Sequence, residues 1–279
     1  MEIRKNVKRL LFFALSFFYL LPSFASSFGV FIGAAREEAR EMLLKSDEKM
    51  LSVLDADEIF AEDAAKIHEK GHEIFAYINV GALENWRRYY SQFEKFSLSP
   101  YANWKNENWV DVSKVEWQDF ITQTIAKECE EKGVDGFFLD NFDVYAEYRR
   151  DEVFDSLLAI LRSLSKYEKK IIINGGDVFV DELIHNDFQH LIWGVCQESV
   201  FTRVSSYKKE KFEKQKSAVA KSRAAYLFRA KEAGLHVFAV EYAKKPSLSE
   251  YAEQKCEENG FRCYVSPSLS LDGREWSSK

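Results

Sequence analysis

Four stretches of this chain, EKGHEIFAY, EKGVDGFFLD, EAGLHVFAV and ENGFRCYV, are built alike: the charged end of a helical pattern, one glycine, then a short apolar run. The glycines are Gly71, Gly133, Gly234 and Gly260. Each stands where a helix can end in a left-handed residue and the chain can turn back into a strand. Their spacing is irregular, which marks repeated β/α units of one sheet and not a solenoid of equal repeats. The apolar runs themselves lie at 28–33, 50–55, 73–80, 136–140, 170–174, 191–197, 236–241 and 261–266, eight in all. They are bulky and almost unbroken in apolar character, as strands of a parallel sheet covered on both faces should be. Helical patterns lie between them at 61–70, 114–132, 151–165, 207–233 and 248–259.

Chain length narrows the architecture once the N-terminus is set aside. Arg4, Lys5, Lys8 and Arg9 precede a stretch, 10–21, that is apolar except for Ser16, and Ser23 and Ala25 supply a small-x-small ending. A membrane span needs roughly 20 apolar residues, so this shorter stretch reads as a secretory signal peptide cleaved after Ala25. An uncleaved anchor is the alternative, and the absence of a following cysteine argues against a lipid-modified terminus. The expected location is therefore secreted or periplasmic, within the cell envelope, with no stable membrane insertion after cleavage. Residues 26–279 then match the roughly 250 residues of an eight-fold β/α barrel. No Pro- or Ser-rich linker divides them, so the prediction is a single-domain α/β fold, a (β/α)8 TIM barrel. A doubly wound open sheet is disfavoured because FGVFIGAAREEA, after the first strand, lacks the glycines of a phosphate loop.

The full chain has 39 Lys plus Arg and 45 Asp plus Glu, a net charge of −6. Residues 1–25 hold four basic residues and one acidic, so the remainder carries 35 against 44, or −9. Such a surface repels nucleic acid and tolerates cationic ligands. Cys129, Cys196, Cys256 and Cys263 fit no zinc or redox spacing. Outside the cytoplasm a local Cys256–Cys263 bridge and buried free thiols are both open.

Active sites of such barrels lie at the C-terminal ends of the strands. The residues there are Asp55, the run from Tyr77 to Gly81, Asp140, Asp143, Asn174, Glu198, Glu241 and Tyr242. HExxH, GxSxG and cysteine–histidine clusters are missing, so neither a metal nor another cofactor is implied. A ring of carboxylates with aromatic neighbours suits glycoside hydrolysis, which uses one carboxylate as nucleophile or base and one carboxylic acid for the leaving oxygen. Each residue also has a plainer use. Asp140 could cap a helix, Glu198 could pair with a Lys or Arg at the rim, and Asp143 could orient Tyr145. Glu241 could pair with Lys244, and Glu84 and Arg87, three apart, could form a local ion pair. Asp135 lies at the opposite, stabilising end of its strand. Trp86, Trp104, Trp109 and Trp117 surround an insertion after the third strand, as sugar platforms or as a hydrophobic plug. The Lys- and Glu-rich run 208–216 reads as a solvated helix face.

Two segments carry a family resemblance. FAYINVGALENWRRYY (75–90) and GVDGFFLDNFDVY (133–145) resemble the third- and fourth-strand signatures of the polygalactosaminidase-type glycoside hydrolases of family 114. IIINGG and VCQESVF at the fifth and sixth strands support them. The resemblance implies a secreted barrel that cleaves α-1,4-linked galactosamine polymers internally, with Asp140 and Glu198 as the catalytic pair. Asp55, Tyr77, Asp143, Tyr145, Asn174, Glu241 and Tyr242 would then bind a polysaccharide substrate. Glu198, flanked by Val195, Cys196, Val200 and Phe201, is expected to have the higher pKa and to be the acid, with Asp140 the nucleophile of a retaining reaction. Ala82, where many relatives are acidic, motivates the alternative of a carbohydrate-binding envelope protein with little turnover. A barrel cleaving another glycan, such as a cell-wall polymer, is the third reading.

Overall fold

The computed structural model describes residues 27–102 and 104–273; the segment read as a signal peptide, 1–25, lies outside them. Eight parallel strands form one sheet: β1 (Ser27–Phe31), β2 (Met50–Asp55), β3 (Glu73–Asn79), β4 (Gly136–Asp140), β5 (Lys170–Asn174), β6 (Gly194–Glu198), β7 (His236–Tyr242) and β8 (Arg262–Ser266). Each pairs with the next in chain order, and β8 returns alongside β1, where Phe31 and Tyr264 meet ring to ring at 5.4 Å. This is the predicted (β/α)8 barrel. Gly71, Gly133, Gly234 and Gly260 all have positive φ, the left-handed geometry that ends each preceding helix without a Cβ clash.

Residues two apart on a strand face the same way, and that parity builds the interior in layers. Phe28, Phe75 and Phe238 point inward near the strand starts. Together with Trp193 just before β6 they form a ring cluster, with centroid separations of 4.8 Å for Phe28–Phe238 and 6.0 Å for Phe75–Trp193. Burying a side chain of this size contributes about 1.5–3 kcal/mol, and the cluster fills the N-terminal end of the barrel. The open space is left at the other end. Outside the strands, helix Asp151–Leu164 shows how the cover is made: Val153, Leu157, Ile160, Leu161 and Leu164 recur at helical spacing and are buried.

Three departures from expectation concern the connections. The pattern at 207–233 is a helix only over Ser217–Glu232. Before it, Thr202–Ser206 and Lys211–Lys214 form an antiparallel hairpin, so the 208–216 run is a turn and a strand and not a helix face. After β3 the chain makes a three-stranded excursion, Ala82–Glu84, Ser97–Pro100 and Glu107–Val110. Helices Arg36–Lys45 and Asp177–His185 were not foreseen. All four cysteines are free thiols, so no Cys256–Cys263 bridge is present. Among the described residues no helix is long and apolar enough to cross a membrane.

Candidate active site

Asp140 and Glu198 end β4 and β6 with their side chains on the inward face, separated by β5. A chain of hydrogen bonds joins five consecutive strands here. Tyr77 of β3 donates its hydroxyl to Asp140 Oδ2 at 2.9 Å. Asn174 of β5 donates from Nδ2 to Asp140 Oδ1 at 2.9 Å and to Glu198 Oε1 at 3.0 Å. Tyr242 of β7 donates its hydroxyl to Glu198 Oε2 at 2.7 Å. Both bridging bonds leave one nitrogen, so the two facing oxygens lie within about 6 Å of each other.

The backbone turns sharply just after each carboxylate. Asn141 and Ser199 have φ of 65° and 56°, conformations that persist only where the surroundings enforce them. Asn141 is enforced from two sides: its Nδ2 donates to Asn79 Oδ1, which also accepts the Ala82 backbone N–H. Gly81 packs so closely here that a Cβ would lie 1.8 Å from the Asn141 carbonyl oxygen. Ser199 is enforced by Arg223, whose Nη1 donates to the carbonyl oxygens of Glu198 and Ser199.

Around this pair lies a cavity of about 590 Å³, within the usual range for a ligand site. Asp55, Tyr77, Asp140, Asp143, Asn174, Glu198 and Tyr242 all line it. Asp55 is gripped by Arg87 through two bonds of 2.8 Å, and Arg87 also holds Glu84 at 2.5 Å. The local Glu84–Arg87 pair is therefore real, but it extends to the cavity wall. Asp143 accepts the Gly176 backbone N–H at 3.0 Å. The four tryptophans divide: Trp109 and Trp117 are core, while Trp86 and Trp104 remain 57% and 40% exposed on the cavity rim.

Two candidates are not brought to the cavity. Glu241 is fully enclosed at 0% exposure. It accepts the backbone N–H groups of Phe201 and Thr202 and the Thr202 hydroxyl, fixing the turn after β6. Tyr242 faces inward, and its neighbour must face outward. Tyr145 packs against Phe154 and Phe179 in the helical layer. The cavity residues that the sequence did not single out as ligands include Glu107, Tyr101 and Arg223. They come from the excursion and from mid-helix, where strand-end reasoning does not look.

The electrostatics also differ from expectation. Asp140 is the carboxyl pushed up, to about 7, by burial first and by the negative charge of Glu198 second. Asp140 thus holds its proton up to near neutral pH in the free protein. Burial also raises Glu107 to about 8 and Glu241 to about 7. All three folded values exceed the unfolded ones, so the folded state binds more protons between about pH 4 and 8 and loses stability as pH rises through that window. A melting temperature several degrees lower at about pH 8.5 than at about pH 5.5 is the expected result, readable by calorimetry. A rise would mean these groups are not buried as described.

A barrel with one carboxylate from β4 facing another from β6 has the layout of a glycoside hydrolase. The model of glycoside-hydrolase family GH114 matches residues 30–278, and the chain belongs to that family. Among solved structures it is similar to the glycoside hydrolase domain of PelA from Pseudomonas aeruginosa. That likeness has a TM-score of 0.73 at 20% identity, covering 88% of this chain and 96% of that one. It is also similar to Ega3 of Aspergillus fumigatus, solved with galactosamine, at TM-score 0.69 and 14% identity over 88% of this chain and 92% of that one. The α-galactosidase TtGalA of Thermus thermophilus shares the barrel at TM-score 0.58 and 12% identity, over 90% of this chain and 61% of that one. No curated protein sequence matches the chain.

Proposed function

We propose that this glycoside hydrolase is exported by its N-terminal segment and cleaves a galactosamine-containing polysaccharide internally, with retention at the anomeric carbon. One observation carries the mechanism: Asp140 and Glu198 share the single amide nitrogen of Asn174. Retaining pairs stand roughly 5–5.5 Å apart, whereas inverting pairs need about 6.5–9.5 Å to admit water. The substrate class is supported by the family and by the galactosamine bound in the similar Ega3 barrel.

In the first step an Asp140 oxygen attacks the anomeric carbon while Glu198 gives its proton to the departing glycosidic oxygen. The bond to the leaving chain breaks as the glycosyl–Asp140 ester forms. In the second step Glu198 takes a proton from water, whose oxygen displaces Asp140. In the free protein it is Asp140 whose carboxyl is raised, so these roles require Asp140 to be ionised once the sugar is bound. Tyr77 and Asn174 hold Asp140 from both sides, which suits a nucleophile whose attack angle must be fixed. Proton NMR of the first products from an α-linked polymer should show the α-anomer before mutarotation. Initial formation of the β-anomer would show inversion and remove the nucleophile role from Asp140.

A further inference from the structure

Glu107 opens the strand Glu107–Val110, and Glu84 closes the strand Ala82–Glu84; the two are direct partners in the antiparallel register. Like charges placed opposite each other destabilise a sheet. Arg87 answers the charge of Glu84, but among the described residues no Lys, Arg or His forms an ion pair with Glu107. Glu107 is nevertheless only 9% exposed, and what is exposed lines the cavity. Burial first, then the charges of Glu84 and Asp140, drive its carboxyl up to about 8, and it lines the same cavity as the nucleophile. A Gln of the same shape would avoid this cost. The Arg87 charge and the Asn79 side chain offset only part of this rise, and a local rule left only partly compensated is expected where a ligand supplies the missing partner. Among the described residues no three carboxylate, His or Cys groups converge as metal ligands. A buried carboxylate facing the cavity is chemically suited to a compact organic cation.

We propose that Glu107 reads a free, protonated amino substituent on the sugar bound at Asp140, and so sets the preference for de-N-acetylated over N-acetylated hexosamine. This rests on the glycosidase reading of the same cavity. An ammonium offers three donors and a charge; an N-acetyl group offers one donor and added bulk, leaving Glu107 buried and unmatched. Sites built around such a polar contact discriminate strongly against a ligand that lacks it.

The test uses polygalactosamine and the same polymer after N-acetylation, with wild type and Glu107→Gln. Reducing-end release is read alongside binding of the corresponding short oligomers to the Glu198→Gln protein, with and without Glu107→Gln. Wild type is expected to favour the free-amine polymer at least about tenfold in kcat/KM, chiefly through KM, and Glu107→Gln to bring that ratio towards one. An undiminished amine preference in Glu107→Gln, or no preference in wild type, overturns the assignment. If wild type cleaves neither polymer, the glycosidase reading fails separately. Binding then decides the Glu107 assignment alone: the amine oligomer must bind more tightly, and only while Glu107 is present. Should Glu107→Gln not fold, Glu107→Asp keeps the charge but withdraws it by one methylene, and is expected to weaken the preference. An unchanged preference there counts equally against the proposal.

Discussion

Glu198→Gln should lower kcat/KM on a galactosamine polymer by roughly 10²–10⁴, the usual worth of a positioned acid–base group. Asp140→Asn should lower it further, because the covalent step is lost altogether. Both variants keep the volume of the side chain, and Tyr77, Asn174 and Tyr242 hold the site from three strands. The losses should therefore appear with melting temperatures close to wild type. The two variants differ in a second readout. With an activated aryl leaving group, which departs without a proton, Glu198→Gln should recover much of its first-step rate and Asp140→Asn none. Wild-type activity should fall at high pH, where the acid loses its proton. That basic limb should flatten in Glu198→Gln on the activated substrate. Its disappearance in Asp140→Asn instead would reverse the two roles.

Arg87→Ala should destabilise the protein by about 3–5 kcal/mol, the penalty for stripping the partner from buried charges. Arg87 is the hub of the cavity's β2–β3 wall, joined to Asp55, Asp57 and Glu84. The side chains of Arg87, Asp55 and Glu84 are 7%, 13% and 5% exposed, so screening by water gives little relief. With Arg87 removed, the buried carboxylates of Asp55 and Glu84 lose their partner, and Glu84 still stands opposite Glu107. They can relax only by taking up protons, so the deficit should shrink as pH is lowered towards about 5. Denaturant melts of wild type and Arg87→Ala at two pH values would read this. A loss under about 1 kcal/mol, the size usual for an exposed pair, would mean that solvent reaches the network.

The barrel was legible in the sequence because two independent signals agreed. The helix–Gly–strand turns fixed where helices stop, and the unbroken apolar runs fixed the strands they lead into; β2, β4 and β5 fall on the expected bounds. Strand ends then pointed to Tyr77, Asp140, Asn174, Glu198 and Tyr242, which line one cavity. What strand ends could not supply is parity. Glu241 and Tyr242 are adjacent, so only one can face inward, and a shift of one residue exchanges them. The 202–214 hairpin was missed because a Lys- and Glu-rich stretch has no apolar periodicity to separate a solvated strand from a solvated helix. Glu107 was invisible for a different reason. Its partners, Glu84 and Asp140, are brought near it only by the folding of the excursion back onto β3 and β4.

The central claim is that Asp140 and Glu198 make this barrel a hydrolase of galactosamine-containing polysaccharide. It is tested most directly by reducing-end release from purified polygalactosamine, with wild type and Asp140→Asn run side by side. The account predicts a steady rise in reducing ends with wild type, as oligomers from internal cleavage, and none above background with Asp140→Asn. Equal release by the two proteins, or none by folded wild type, would contradict it.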